Sequence, residues 1–281
     1  MDFTNGQIPA SASGTVDEIC RRVMSFTVPF LRFEHERLEH EASGVLLRIA
    51  DSAFVLTAFH VLKPLLDAKI PIMIGAGSQD SAGISLSGLR VLKADDPLDI
   101  ALIELSPEKS EQIVRAISCI NLVQCDISHF FDPRQLFLVW GFPSVDTLSS
   151  TARKTLHLAP FGFITGAYAG DTSQIPGEAY RHELHLLLDY SEGHRKDEYG
   201  EPIPPPEPPG MSGCGVWKLQ SPDIPVECWE CDRLRLVAIV HSMHSTKRVL
   251  IATRLKYVLQ LLYQNRPDLR NSMRISLPAL T

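Results

Sequence analysis

Apolar and polar positions along this chain follow two different periods, and each change of period marks an element. Over 16–24 the apolar residues Val16, Ile19, Cys20, Val23 and Met24 fall at helical spacing, which predicts a helix packing one face. Thr15, with Glu18 three residues on, has the form of a capping box at its start. From Ser43 the pattern turns to short β-rich runs. Segments 44–49 and 54–58, joined by 50–53, suit a hairpin. Further strands are predicted at 70–74, 84–92, 100–105, 136–140, 156–165, 184–190, 215–219 and 234–241. Helical spacing interrupts them at 107–117 and returns at 253–263, where Leu255, Val258, Leu259 and Leu262 share a face that suits core packing.

Many short strands with few helices predict an all-β sandwich or barrel rather than an alternating parallel sheet. No internal repeat is visible. The first fifteen residues, rich in Ser, Ala, Gly and Thr, read as a lead-in. Segment 191–209 is charged at first and then proline-rich (Pro202, Pro204, Pro205, Pro206, Pro208, Pro209), which predicts a loop that is stiff at its end.

Composition narrows the function classes. With 281 residues, 44% of them hydrophobic and 21% charged, the chain can bury a sizeable core as one large or two compact domains. A formal charge of -6 without a long basic run predicts no nucleic-acid or membrane-surface partner. The N-terminal residues show neither the basic cluster nor the apolar stretch of a secretory signal. No apolar run approaches the ~20 residues of a membrane span. Six cysteines are too sparse for a disulfide framework and read as reduced thiols, so a cytoplasmic protein is expected.

Chemistry concentrates where the proline-rich loop ends, in Gly210-Met211-Ser212-Gly213-Cys214-Gly215-Val216-Trp217. Small residues flank one serine hydroxyl on a tight turn, so backbone amides can converge beside it. The amides of Gly210 and Ser212 are the candidate donors of an oxyanion hole. A serine hydroxyl needs a base, and that base needs a carboxylate to orient it. His60 ends the apolar run Val55-Leu56-Thr57-Ala58-Phe59-His60, where a buried strand exits into a short helix. Asp99 opens Asp99-Ile100-Ala101-Leu102, at the mouth of another buried strand, whereas Asp95 and Asp96 precede Pro97 in a surface turn.

These three segments, Thr-Ala-x-His, Asp-Ile-Ala-Leu and Gly-x-Ser-Gly before a strand, resemble the trypsin/chymotrypsin-like serine proteases, in that family's order. The similarity is greatest to bacterial trypsin-like peptidase domains and runs from about Ser43 to Arg254. It implies two antiparallel six-stranded β-barrels, flanked here by an N-terminal and a C-terminal helix. The corresponding divisions are an extension with its helix at 1–42, a first barrel at 43–125, a second at 126–253, and a helix and tail at 254–281. It further implies a triad of His60, Asp99 and Ser212, an acyl-enzyme, and pairing of substrate backbone with the strand at Val240, His241 and Met243. His241 stands where the family usually has a serine.

Met211 replaces the aspartate that in digestive members pairs with a newly cleaved amine, so activation by that route is not expected. Cys214 and Gly215 replace a common Gly-Pro. A peptide or protein substrate and no cofactor are expected, with control by a partner protein or ligand received by the N-terminal helix or the 191–209 loop. A bacterial defence effector is compatible with the resemblance. The rival reading is a catalytically inactive member of the fold serving as a protein-binding or scaffold module.

Two other motifs are weaker. The Ser212 turn lacks the final glycine of a nucleophile elbow, and that fold places its aspartate and histidine after the serine. Cys228-x-x-Cys231 with His241-x-x-His244 has zinc-like spacing, but two histidines three apart on a strand face opposite ways, so no metal site is expected.

Overall fold

The computed structural model of the chain describes residues 13–34, 37–75, 83–115, 117–128, 132–144, 147–150, 155–176, 180–191, 195–196, 202–203, 205, 207–221 and 223–280. Most of the expected lead-in and much of the 191–209 loop lie outside them. The chain opens with helix α1 (Ser13–Met24), followed by strands β1 (Thr27–Glu34), β2 (Arg37–Ile49) and β3 (Ser52–Ala58). Helix α2 (Phe59–Asp67) leads to β4 (Ile72–Ile74), β5 (Ile84–Ser85), β6 (Val91–Ala94) and β7 (Ile100–Glu104), and α3 (Pro107–Val114) links the halves. Next come β8 (Leu136–Gly141), β9 (Thr147–Ser150), β10 (Thr155–Leu158), β11 (Phe161–Gly166), β12 (His185–Asp189), β13 (Arg195–Lys196) and β14 (Pro202–Ile203). Strands β15 (Gly215–Lys218), β16 (Arg235–His244) and β17 (Val249–Arg254) precede α4 (Leu255–Asn265) and α5 (Arg270–Ser276).

Two antiparallel sheets dominate: seven strands in the order β5-β4-β1-β2-β3-β7-β6, and six in the order β11-β8-β15-β16-β17-β12. The expected all-β, chymotrypsin-like architecture of two curled sheets with terminal helices is what the chain forms, with seven strands rather than six in the first sheet. The additional strand is β1, which the hydrophobic pattern did not reveal because Pro29 interrupts it. Proline is tolerated there because the β4 ladder starts one residue later, at Phe30, and only the Pro29 carbonyl is needed, as acceptor of the Gly75 amide at 3.1 Å.

Alternation explains how the sheets pack. Leu46, Val55, Ala101 and Ile103 face the core inside the first sheet, while Val45, Leu47, Phe54, Leu56 and Leu102 face a second apolar layer. On the six-stranded sheet Phe137, Val139, Val237 and Val240 face its own interior, and Leu138, Leu236 and Ile239 join that same layer. Strands buried on both faces read as continuous apolar runs, which is why β3 and β7 were the most legible. The intervening layer is closed by Ile19 and Val23 of α1 and by Leu255, Val258, Leu259 and Leu262 of α4. Phe26 stacks on Trp217 with ring centroids 5.6 Å apart, tying the chain after α1 to the strand that follows the candidate nucleophile.

Several element expectations are corrected. Thr15 lies within α1 and does not cap it. The predicted strand 84–92 is two short strands separated by a turn at Gly88, whose φ is +77°. The predicted strand 156–165 is two strands in different sheets, β10 pairing with β9 and β11 with β8. Segment 253–263 begins in β17, and its helix starts only at Leu255. Within 191–209, β13 and β14 pair across two residues each. Among the described residues no helix is long and apolar enough to cross a membrane, and no group of three or more metal-ligating side chains converges.

Candidate active site

The candidate residues lie on segments that each sheet contributes and the other sheet holds. His60 is the second residue of α2, directly after β3. Ala58, at the N-cap, makes no side-chain cap, and the role passes to Asp99 across the sheet. The Asp99 Oδ1 accepts the His60 backbone N–H at 2.7 Å, and the Asp99 carbonyl accepts that of Phe59 at 3.1 Å. The remaining carboxylate oxygen, Oδ2, accepts from His60 Nδ1 at 2.6 Å. A carboxylate accepts only, so His60 carries its proton on Nδ1 and presents an Nε2 lone pair outward. The His60 side chain is 50% exposed and that of Asp99 11%, which leaves the imidazole reachable from solvent and the carboxylate shielded.

Asp99 sits at φ +48°, a left-handed conformation that aspartate tolerates better than most residues. The loop bearing it is gripped by the six-stranded sheet. Thr253 Oγ1 donates to the Leu98 carbonyl at 2.6 Å, and His185 Nε2 donates to that of Pro97 at 2.8 Å. His185 is set in that tautomer because its Nδ1 accepts the Arg181 amide at 3.0 Å. His241 adds a second imidazole, with Nδ1 3.8 Å from Asp99 Oδ2 and its ring 5.0 Å from that of His185. Burial, and then the neighbouring His185, push the His241 pKa down to about 4, so near neutrality it stands beside Asp99 uncharged.

The turn that bears Ser212, the candidate nucleophile, is held from the other side. Gly210 and Gly213 have φ of +90° and +86°, and neither site admits a β-carbon. At Gly210 one would lie 2.5 Å from the Phe142 carbonyl oxygen, and at Gly213 2.1 Å from that of Ser43. Ser212 lies half-buried between them, its carbonyl accepting the Ser43 amide at 2.9 Å. Its hydroxyl is 3.5 Å from the His241 carbonyl. Among the described residues no hydrogen bond joins that hydroxyl to His60, a looseness common in free enzymes, where such contacts tighten on binding substrate. Met211 is buried in the core of the six-stranded sheet with Cys214, so an apolar anchor holds the turn next to Ser212. Burial raises the Cys214 thiol pKa, which keeps it protonated and unreactive.

Of the three positions expected to meet substrate, Val240 has both backbone groups engaged by the turn itself. Its N–H donates to the Cys214 carbonyl at 3.0 Å and its carbonyl accepts the Gly213 amide at 2.7 Å. His241 and Met243 follow it on β16. The structure therefore brings His60, Asp99, Ser212, Gly210 and His241 into one region between the sheets. Sequence reasoning missed Ser43, His40, Ser144, His185 and Thr253. None of them stands in a recognisable motif, and only Thr57, which donates to the Ser43 carbonyl at 2.8 Å, lay inside one.

No protein-family model and no curated protein matches the sequence. Solved structures do. The HtrA-type protease AlgW with a decapeptide is similar at 12% identity and a TM-score of 0.52, over 88% of this chain and 66% of that one. Deg5 is similar at 11% identity and 0.51, over 88% and 91%. The serine endoprotease from Yersinia pestis is similar at 15% identity and 0.50, over 92% and 67%. The chain thus spans just under two thirds of the AlgW chain. What these similarities establish is that the chain has the trypsin-like serine-protease fold.

Proposed function

We propose that this protein is a serine endopeptidase in which Ser212 is the nucleophile, His60 the general base and Asp99 the group that orients it. The carrying observation is the Asp99–His60 arrangement. One carboxylate oxygen holds the backbone of the base and the other its Nδ1–H, leaving Nε2 directed outward. In the reaction, Nε2 of His60 takes the Ser212 hydroxyl proton as Oγ bonds to the substrate carbonyl carbon. The oxyanion that forms is received by the Gly210 and Ser212 amides. Return of the proton to the departing amine breaks the C–N bond and leaves an acyl-enzyme, which water opens by the same steps. No cofactor enters this sequence.

Substrate backbone pairs beside β16, at His241 and Met243. HtrA-type relatives of the same fold, one of them determined with a decapeptide, support a peptide substrate. Six free thiols suit a cytoplasmic setting. There, control by a partner protein or ligand, and service as a bacterial defence effector, complete the reading.

Fluorophosphonate labelling of the purified protein tests it. The wild type is expected to label at one site, and Ser212→Ala and His60→Ala to abolish labelling. A folded wild type that resists the probe would instead support the inactive binding module.

A further inference from the structure

With Met211 in place of an ion-pairing aspartate, something else must hold the nucleophile turn in shape. Pro208 to Met211 form a turn closed by the Met211 amide on the Pro208 carbonyl at 2.8 Å, with Pro209 second and Gly210 third at φ +90°. That is the type II arrangement. Its type I counterpart differs by a flip of the central Pro209–Gly210 peptide and needs a negative φ at the third residue. Glycine adopts either sign readily, so Gly210 alone does not choose between them. The choice decides which way the Gly210 N–H points.

One contact decides it and a second anchors it. The Pro209 carbonyl accepts the Ser144 amide at 2.8 Å, which turns the Gly210 N–H of that same planar peptide the opposite way. The next carbonyl, of Gly210, accepts the Ser43 hydroxyl at 2.8 Å. That hydroxyl in turn accepts the Phe142 amide at 2.9 Å, anchoring the segment that carries Ser144. Ser43 also donates its own amide to the Ser212 carbonyl at 2.9 Å. It is fully buried on β2 of the opposite sheet, and its single hydroxyl proton has one acceptor and one of its two lone pairs a donor.

We propose that Ser43 is a positioning residue for the oxyanion hole. Its buried hydroxyl fixes the peptide that follows Gly210 and, through the Phe142 amide, the segment whose Ser144 amide holds the Pro209 carbonyl, so that the Gly210 N–H stays in the donor-outward form without an activating cleavage or ion pair. The proposal rests on the serine-peptidase reading and adds to it the device that keeps the site formed.

The test compares fluorophosphonate labelling rates, per folded molecule, of wild type, Ser43→Ala and Thr57→Val. Loss of one oxyanion donor slows reaction by ~10²–10³, and Ser43→Ala is expected to fall by about that factor. Thr57→Val removes the neighbouring buried hydrogen bond from β3 to the Ser43 carbonyl, within the first sheet, but keeps the Ser43 hydroxyl, and is expected to stay within about threefold of wild type. Equal rates for Ser43→Ala and wild type overturn the proposal, as does an equal loss in both variants, which would mean general loosening. Hydrogen exchange of the wild type supplies a readout independent of catalysis and of any variant's folding. The Met211 amide is expected to exchange as slowly as the amides of β16, and fast local exchange there overturns the lock. If the wild type fails to label, the peptidase reading fails, and the exchange rate judges the lock alone.

Discussion

Gly213 shows how closely backbone and chemistry are joined at this site. A β-carbon there would meet the Ser43 carbonyl oxygen at 2.1 Å and Thr57 Oγ1 at 2.2 Å, and φ is +86°. The left-handed conformation alone costs about 1–2 kcal/mol for a residue with a side chain, and the overlap with backbone has no soft atom to yield. Gly213→Ala is therefore expected to lower stability by more than that conformational cost and to eliminate fluorophosphonate labelling, as read by urea unfolding and gel fluorescence. Asp99 carries the opposite lesson. It accepts its own φ of +48° because its loop is held by Thr253 and His185, so its placement depends on residues more than eighty positions away.

At the scale of elements, α1 before the first sheet and α4 after the second do the same work. Ile19 and Val23 of α1 and the Leu255, Val258, Leu259 and Leu262 face of α4 close the apolar layer shared by both sheets. Leu259 is fully buried there. Leu259→Ala is expected to destabilise the protein by about 2–5 kcal/mol, the range for opening a cavity at a packed leucine, measured by chemical denaturation. Because the layer touches both sheets, the loss should appear in one cooperative transition that includes the nucleophile turn. Two separate transitions would show that the sheets unfold independently.

For the molecule as a whole, the two sheets clasp one another. Ser43 of the first holds the candidate nucleophile turn of the second, and Thr253, His185 and His241 of the second enclose the aspartate loop of the first. Two histidines in this clasp resist protonation. His40, whose Nε2 donates to the Ala42 carbonyl at 2.8 Å and whose Nδ1 takes the Ser144 hydroxyl at 3.3 Å, is lowered by burial to about 4 from an ordinary 6.5. His241 is lowered to about 4 as well, against the opposing pull of Asp99. Between those pH values the unfolded chain binds more protons than the folded one. The stability these groups contribute is thus complete above the unfolded value and is lost as pH falls through the folded one. The urea midpoint is expected to decline from pH 7 to pH 4, and His40→Gln and His241→Asn each to flatten that decline. A midpoint independent of pH would contradict the burial of both rings.

The order of three short motifs carried the candidate site, because each joins a side chain to a local backbone form. Thr-Ala-x-His marks a strand running into a helix, Asp-Ile-Ala-Leu the entry to a doubly buried strand, and Gly-x-Ser-Gly a turn that only glycine can make. The β-rich architecture was legible for a related reason, since the periodicity of β3, β7 and β16 records burial along a single segment. What tertiary structure alone decided is how those segments are held. Ser43 reads as an ordinary serine at the start of a strand, His185 as one more histidine, and Pro29 as an interruption. Their roles arise from hydrogen bonds and ladders between residues far apart in the chain, which leave no periodic or local trace in it. The sequence by itself determined the chemistry on offer and the strands that carry it, and the packing of one sheet against the other decided its geometry.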